Sequence, residues 1–234
     1  MSILTPSCLD DFLINNAQER LTLELILARK LPFPFNGKSG ILLYGTYGTG
    51  KSTLGFLLPN LFETADSGKH NLSANIGALQ ASEEAVPEIF RCGGGLSSTQ
   101  IVGTIYKCNG RSAWHHHKQF DYFVFDEVDK LTPSAQQSLK SVMDLKRSQF
   151  IFTTNFIDRV DDGIINRCHL IGMHQANSVD AYLPIGKSLL QKMQLPVNAL
   201  PDSVITGFAV KAKGSMRNFL NDVMVAGIGV GGVI

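Results

Sequence analysis

The sequence predicts an α/β fold in which helices cover both faces of a parallel sheet and a small α-helical lid domain follows. Short apolar runs of strand length alternate with segments of helical periodicity between residues 40 and 153. The first of these runs leads into a glycine-rich loop and then a helix, the arrangement of a phosphate-binding loop. From Asn177 onward the pattern is purely helical. We therefore expect an α/β core over residues 1–175 and a helical lid over residues 176–234.

The composition is that of a nearly neutral chain with few charges. Its 234 residues include 21 Lys and Arg against 20 Asp and Glu, for a formal net charge of +1. Charged residues make up 18% of the chain, below the roughly 25% of ordinary soluble domains. A surface that is basic throughout is therefore excluded, and any contact with nucleic acid requires local positive charge. The sparse charge also suits a surface that is buried against other subunits.

Membrane and secreted classes are disfavoured by the sequence. No apolar run approaches the ~20 residues that span a bilayer, and the first residues lack the pattern of a signal peptide. The four cysteines are scattered without a C-x-x-C pair, which indicates reduced thiols. We expect a cytoplasmic protein with no membrane partner.

The predicted elements follow from apolar spacing and from breakers. Apolar residues at helical spacing over 9–30 end at the break Pro32-Phe-Pro34. Beyond it we predict strands at 40–44, 88–92, 122–125 and 150–153, and helices at 51–62, from Ser97 to 107, and at 134–143. The polar stretch 64–86 is interpreted as an insertion or flexible loop, and the glycine-rich tail 225–234 as flexible and apolar.

A phosphate-binding loop is predicted between the strand at 40–44 and the helix after it. It fits G-x-x-x-x-G-K-[ST] with Gly45, Thr46, Tyr47, Gly48, Thr49, Gly50, Lys51 and Ser52, followed by Thr53. Glycines let backbone N–H groups wrap around phosphate oxygens at a helix N-terminus. Lys51 supplies a full positive charge for the outer phosphates, and the Ser52 hydroxyl is a ligand for Mg²⁺. The sequence therefore predicts a nucleotide-binding protein.

Polar side chains end the next two core strands. Asp126 ends a buried parallel strand beside the phosphate loop, where it holds Mg²⁺ through water. Glu127 is placed to polarise an attacking water, which favours hydrolysis over a passive switch. Asn155 follows the next strand and reaches the γ-phosphate or the attacking water. The alternative is an asparagine that merely tolerates a turn.

With these motifs the chain resembles the AAA+ ATPases, and among them the small subunits of clamp loaders of the replication factor C type. The string from Asp126 to Lys140, followed by Phe150 to Asn155, is similar to that family's Walker B motif, helix and sensor 1. Leu9-Asp-Asp-Phe12 is similar to its adenine-side entry. The resemblance covers nearly the whole chain and implies a P-loop AAA+ core with ATP and Mg²⁺.

The resemblance also gives roles to two arginines. Arg167, in Asn166-Arg167-Cys168, falls where the family carries Ser-Arg-Cys, whose arginine reaches into a neighbour's ATP site. Arg217, in Gly214-Ser-Met-Arg217, matches sensor 2, which opens a lid helix. Guanidinium groups suit the charge of phosphoryl transfer, and such fingers contribute roughly 10³–10⁵ in rate in related systems. The alternatives are a surface arginine bound to an acid or carbonyl for Arg167, and an exposed helix charge for Arg217.

Several features depart from the clamp-loader pattern. Asn166 replaces the serine before the finger, Phe90-Arg91-Cys92 replaces a small polar strand end, and an insertion precedes that strand. The chain stops at Ile234, which leaves no room for the helical collar of clamp loaders. We therefore keep open a helicase, a helicase loader or a transposition-type DNA-binding ATPase, encoded by a phage, a virus or a mobile element.

The stretch from Phe90 to Phe120 contains no acid and is predicted to meet nucleic acid. Its candidate contacts are Arg91, Lys107, Arg111, Trp114 and Lys118, with His115, His116 and His117 beside the tryptophan. A basic, acid-free face is what tracking of a phosphate backbone requires. The alternative is a solvated loop with a chance excess of charge. Three consecutive histidines rarely converge on one ion, so we do not expect a metal there.

The sequence thus predicts a Mg²⁺-dependent ATP hydrolase of the AAA+ class that forms a homo-oligomeric ring or spiral and acts on DNA in replication. Lys51, Ser52, Asp126, Glu127 and Asn155 act within one subunit, Arg167 acts in trans, and Arg217 reports the nucleotide to the lid. A sliding clamp, a helicase or other replication proteins are the further expected partners.

Three other classes compete with this prediction. A superfamily 3 viral helicase also has a strand that ends in Asn, but the lid motif at 214–217 argues against it. A scaffold that uses ATP only for assembly does not require Glu127 or Arg167. A protein-remodelling ATPase needs an aromatic pore loop, and the stretch Gly93–Ser98 does not offer one.

Overall fold

The structure, a computed structural model, describes residues 5–67, 75–112, 120–174 and 178–231. Within these ranges the strands are β1 (Gly40–Tyr44), β2 (Glu88–Arg91), β3 (Asp121–Asp126), β4 (Ser148–Thr154) and β5 (Cys168–Gly172). They form one sheet in the order β2-β3-β4-β1-β5, and all neighbouring pairs are parallel. The predicted parallel sheet is therefore confirmed.

Helices cover the sheet and follow it along the chain, and side chains cap the starts of some of them. They are α1 (Ala17–Leu27), α2 (Lys51–Asp66), α3 (Ser98–Ser112), α4 (Pro133–Val142), α5 (Asp162–Asn166), α6 (Leu183–Lys192), α7 (Asp202–Ala212) and α8 (Met216–Gly231). Before α1, the Asn16 side chain accepts from the Gln18 N–H at 2.9 Å, and before α4 the Thr132 hydroxyl accepts from the Ala135 N–H at 3.3 Å. Over the described ranges, none of these helices is long and apolar enough to cross a membrane.

Side chains of the central strands alternate between two apolar layers. Ile41 and Leu43 of β1 pack with Leu54 of α2, whereas Leu42 packs on the other face with Ile105 of α3. Each of these side chains is fully buried. Burying each such side chain contributes roughly 1.5–3 kcal/mol. A parallel sheet buried on both faces explains the almost continuous apolar runs in the sequence.

Helices α6, α7 and α8 form a third apolar cluster in the region predicted as the lid. Phe219 of α8 is fully buried there, and its ring lies edge-on to that of Tyr182 at 5.0 Å between centroids. The boundary that we place after residue 175 stays a prediction, because residues 175–177 lie outside the described ranges.

The prediction of a flexible tail from residue 225 is wrong as far as residue 231. Helix α8 continues to Gly231, and residues 232–234 lie outside the described ranges. Gly227 is buried, and a Cβ on it would lie 3.0 Å from Cε of Met193. Only a residue without a side chain allows α8 to approach Met193, at the end of α6, this closely. The packing gained there outweighs the roughly 1 kcal/mol by which a glycine destabilises a helix relative to alanine.

Two further elements differ from the sequence prediction. The segment that holds α5 and β5 was not assigned from the sequence. Part of the predicted flexible loop is held against α2, because the Thr64 hydroxyl accepts from the N–H groups of Ser82 and Glu83, each at 3.0 Å. Residues 68–74 of that stretch lie outside the described ranges.

Candidate functional site

The loop between β1 and α2 has the backbone that a phosphate cradle requires. Gly45, Gly48 and Gly50 have φ angles of 143°, 76° and 95°, values that other residues rarely adopt. A Cβ on Gly48 would lie 2.7 Å from the Ser215 hydroxyl, and one on Gly45 would collide with the carbonyl of Met173. Helix α2 starts directly after the loop, so its unpaired N–H groups face the same concavity.

Lys51 is buried at the base of this loop, with 6% of its surface exposed. Its ammonium group donates to the carbonyl of Thr46 at 2.5 Å. Burial lowers the pKa of Lys51 to about 8, although the carboxylates around it, that of Asp129 above all, oppose the shift. Among the described residues the Lys51 ammonium contacts oxygens of Thr46 and Thr49 and no carboxylate directly, and a bound phosphate would stabilise its charge.

We expect ATP binding to take up a proton near pH 8.5, roughly half a unit above the pKa of Lys51, because phosphate oxygens raise that pKa again. Calorimetric titration with ATP in two buffers of different ionisation enthalpy measures this uptake. The Lys51→Arg variant serves as the control, since its guanidinium does not titrate in this range. Equal heats in both buffers for the unmodified chain would contradict the prediction.

Ser52 and Asp126 meet across the site. The Ser52 hydroxyl donates to Oδ1 of Asp126 at 2.7 Å, and the Thr153 hydroxyl donates to the same oxygen at 2.7 Å. A hydroxyl and a carboxylate at this spacing offer the hard oxygen ligands that Mg²⁺ prefers. No group of three or more His, Cys, Asp or Glu side chains converges anywhere in the described ranges. This donor set fits Mg²⁺, which takes its remaining ligands from substrate phosphates and water.

Glu127 follows β3 in a left-handed conformation, with φ of 60°. Its N–H donates to the Thr153 hydroxyl at 2.9 Å, which fixes the backbone of the turn. Its carboxylate accepts from the Lys130 ammonium at 2.5 Å, and its side chain is 35% exposed. The carboxylate is therefore partly open to solvent and is paired with Lys130.

Asn155 lies at the same edge of the sheet. β4 runs beside β1 with Thr154 opposite Tyr44, so Asn155 follows next to the start of the phosphate loop. The Thr154 hydroxyl donates to Oδ1 of Asp129 at 2.6 Å, which anchors the strand end. The structure thus brings Asn155 to the phosphate loop, as the sequence predicts.

A cavity of about 370 Å³ opens between the phosphate loop and the lid helices. Its lining includes Phe12, Gly48, Thr53, Arg217, Ile185, Leu189, Leu220 and Met224. The backbone N–H of Arg217 donates to the carbonyl of Gly48 at 3.1 Å, so α8 begins at the phosphate loop. A polar end at the loop and an apolar end at the lid fit a nucleotide with its base under the lid.

A second link joins the lid to the N-terminal segment at the apolar end of this cavity. Lys192 of α6 donates to Oδ2 of Asp11 at 2.6 Å, and the Ser188 hydroxyl lies 3.4 Å from Oδ1. Burial alone would raise the pKa of Asp11, but the bond from Lys192 and backbone N–H groups lowers it. The carboxylate is thus charged and couples the lid to the segment that contains Phe12.

Arg167 lies at the end of the sheet where the strands begin, whereas the phosphate loop lies at the end where they finish. It directly precedes β5, whose first residue pairs with Gly40 at the start of β1. From Arg167 to the end of β5 at Gly172 the chain covers roughly 17 Å at ~3.3 Å per residue. In the free chain its guanidinium contacts the Asp144 carboxylate at 3.3 and 3.4 Å and the Gly163 carbonyl at 3.1 Å. Arg167 therefore cannot reach the phosphate loop of its own chain.

A family model covers this site and most of the sheet. The ATPase family associated with various cellular activities, AAA, matches residues 41–173, which is more than half of the chain. The chain belongs to the AAA ATPase family. The matched range contains the phosphate loop, Asp126, Glu127 and Asn155, and also Arg167 at the other end of the strands.

Curated relatives of this AAA ATPase include replication factor C subunits. It is 26% identical to replication factor C small subunit 1 of Pyrobaculum arsenaticum over 216 residues, which are 89% of the chain and 58% of the relative. It is 28% identical to replication factor C subunit 4 of Arabidopsis thaliana over 131 residues, which are 55% of the chain and 36% of the relative. The match thus covers less than two thirds of the length of each of these relatives.

Solved structures share the fold at low sequence identity. A point variant of RuvB from Thermotoga maritima has a TM-score of 0.61 and 15% identity, covering 98% of this chain and 73% of that one. PCH-2 of C. elegans has a TM-score of 0.53 and 14% identity, covering 93% of this chain and 70% of that one. Both confirm an AAA core followed by C-terminal helices.

The predicted nucleic-acid contacts of this AAA ATPase are only partly described. Arg91 ends β2 opposite Asp126 and is exposed, and Lys107 is exposed on α3. The side chain of Arg111 and the residues Trp114, His115, His116, His117 and Lys118 lie outside the described part of the chain. A surface formed by all of them stays a prediction.

Thr153 is the site residue that sequence reasoning missed. Its hydroxyl donates to Asp126 and accepts from the N–H of Glu127, so it joins the end of β3 to the turn that follows. A signal was present, because Thr153 lies just before the strand end at Asn155 and β4 neighbours β3. Lys130 was also not singled out, although it lies three residues after Glu127 and pairs with it across the short helical turn 128–130.

Proposed function

We propose that this AAA ATPase hydrolyses Mg²⁺-bound ATP at the contact between two copies of itself and acts on DNA. The position of Arg167 is the observation that carries the proposal. The cis residues lie at one edge of the sheet and Arg167 lies at the other, so a finger can complete the site only from a second subunit. Because one chain holds both halves, a homo-oligomer is sufficient.

Within one chain, each residue acts at a stated place on the substrate. Lys51 and the N–H groups of the loop bind the outer phosphates. Ser52 and, through water, Asp126 would hold Mg²⁺, which neutralises charge on the β- and γ-phosphates. Glu127 takes the proton of the attacking water, and Asn155 orients that water.

The two arginines act from different directions. Arg217 starts α8 at the phosphate loop, so a shift of the phosphates is passed to the lid. Arg167 of a second copy leaves its own Asp144 and instead contacts the transferred phosphoryl group, where it stabilises the developing negative charge. Head-to-tail contacts of this kind close into a ring or continue as a spiral.

Action on DNA is supported by the relatives and by local charge. The curated relatives are replication factor C subunits, and one structural neighbour is titled a Holliday junction branch migration motor. Arg91 and Lys107 are exposed cations in a stretch without acids. A role in replication as a clamp-loader-like ATPase, a helicase or a helicase loader follows from this combination.

The test is the rate of ATP hydrolysis with and without single- or double-stranded DNA, together with the mass of the assembly. We expect DNA to raise turnover several-fold in an oligomer. Further stimulation by a sliding clamp favours loading, and strand separation favours a helicase. A monomer that hydrolyses ATP at full rate and ignores DNA would refute the proposal.

A further inference from the structure

A second cavity lies at the edge of the sheet where the strands begin. It has a volume of about 480 Å³ and is formed by the turn before β1 and the loop before β4, residues 34–39 and 143–147, with Phe120. β1 and β4 are adjacent and parallel, with Gly40 opposite Phe150, so these two loops meet. The nucleotide cavity opens at the other end of the same strands, and the second cavity is separate from it.

Positive charge predominates around the second cavity. Lys38, Lys146 and Arg147 line it, and Asp144 is the one acid among its described lining residues. In the free chain that acid is paired with Arg167, and without this pair the three cations still outnumber it. The cavity therefore attracts anions.

Lys38 is held in place by the chain behind it. Its ammonium donates to the Cys168 carbonyl at 2.7 Å, which leaves two of its three N–H donors for other acceptors. Burial lowers the pKa of the neighbouring His169, and the charge of Lys38 lowers it further. The ammonium group of Lys38 is thus fixed beside the cavity, close enough to His169 to lower the pKa of that imidazole.

The Ser39 hydroxyl is a buried group without a hydrogen-bond partner among the described residues. Ser39 is 7% exposed and lines the cavity, and within the described ranges its hydroxyl oxygen has no hydrogen-bond partner. Leaving such a group unpaired costs roughly 1–3 kcal/mol. A ligand oxygen that reached this hydroxyl from the cavity would satisfy it.

Phe35 stands at the mouth of the cavity with 62% of its surface exposed. It is held there by a tight turn, in which Phe35 and Lys38 exchange backbone hydrogen bonds of 3.0 and 2.9 Å. Asn36 and Gly37 both have positive φ, as an Asn-Gly turn of this type requires. An aromatic ring presented on a rigid turn is a platform for a planar partner.

We propose that the second cavity binds single-stranded nucleic acid, with phosphates on Lys146, Arg147 and the Ser39 hydroxyl and one base stacked on Phe35. Cations that follow a backbone, combined with an aromatic platform, are the elements of sequence-tolerant strand binding. The inference rests on the proposed action on DNA and adds to it a site outside the predicted contacts at 91–118.

A strand fits better than a small anion because the positive surface continues. Asn109 of α3 donates to the Lys146 carbonyl at 3.0 Å and to the Ser148 hydroxyl at 3.2 Å, so α3 ends beside the cavity. Helix α3 carries the exposed Lys107 and contains no acid. A polymer of phosphates uses both the cavity and this helix, whereas a single phosphate uses only the cavity.

The test measures binding of a fluorescently labelled single strand by anisotropy to the full chain with ATP present. We expect Lys146→Glu and Phe35→Ala each to weaken binding about tenfold, and Ser39→Ala to weaken it by a smaller factor. The matched control is Lys211→Glu, which makes the same charge change at an exposed lysine of α7. ATP hydrolysis without DNA and the melting temperature should stay at the values of the unmodified chain.

Each outcome separates this inference from the proposed function. A loss confined to the three cavity variants supports the site. Unchanged strand affinity in those variants overturns it, and if the assembly mass falls at the same time the cavity is instead a contact between copies. Failure of the unmodified chain to bind any strand refutes the action on DNA, and the inference with it.

Discussion

Replacement of Arg167 by alanine is expected to lower ATP turnover at least about 10³-fold while ATP affinity stays within about threefold. The guanidinium lies at the strand-start edge of the sheet and contacts Asp144, so its removal leaves the cis site intact. What is lost is the charge that a second copy brings to the transition state. Steady-state hydrolysis and nucleotide titration of the purified oligomer measure the two quantities.

The control for this variant removes another cation from an exposed ion pair. Lys187 of α6 pairs with Asp202 at 2.8 Å, and exposed pairs contribute only about 0–1 kcal/mol. Lys187→Ala should therefore leave turnover within about twofold. Full turnover in the Arg167 variant, or in a dilute monomer of the unmodified chain, would refute action in trans.

Replacement of Glu127 by glutamine is expected to lower turnover by about 10²–10⁴ with nucleotide binding retained. The amide keeps the shape of the side chain but takes no proton from water. The backbone N–H of residue 127 still donates to Thr153, so the turn and the contact of Thr153 with Asp126 persist. Single-turnover hydrolysis of prebound ATP isolates the chemical step.

The matched control makes the same kind of acid-to-amide change on the lid surface, at Asp202. Asp202→Asn breaks the exposed pair with Lys187 and should leave the chemical step unchanged. If Glu127→Gln hydrolysed prebound ATP as fast as this control, another group would have to be the general base.

The cis half of the site was predictable because its signal is local. The phosphate loop is one contiguous string, and Asp126, Glu127 and Asn155 stand at strand ends that apolar runs reveal. Parallel pairing of β3, β4 and β1 then places these ends at one edge. Parallel pairing, which the alternation of strands and helices predicts, was enough to place these residues at the same end of the strands.

Contacts between distant segments were not predictable in the same way. The bonds of Arg167 to Asp144, and of Lys192 to Asp11, depend on how helices and strands pack. β5 is a five-residue run interrupted by His169, too short for its periodicity to be read. In helix α8 the local signal was misleading. The glycines have low helix propensity and so predicted a flexible tail, but packing at Gly227 outweighs that propensity.

The most direct test of the central claim is ATP hydrolysis by an equimolar mixture of the Arg167→Ala and Glu127→Gln chains. Each chain alone is expected to be nearly inactive, since one lacks the finger and the other lacks the base. In a random mixture about a quarter of the contacts join an intact Glu127 to an intact Arg167, so about a quarter of the turnover should return. A mixture no more active than its separate components would contradict a site shared between two copies.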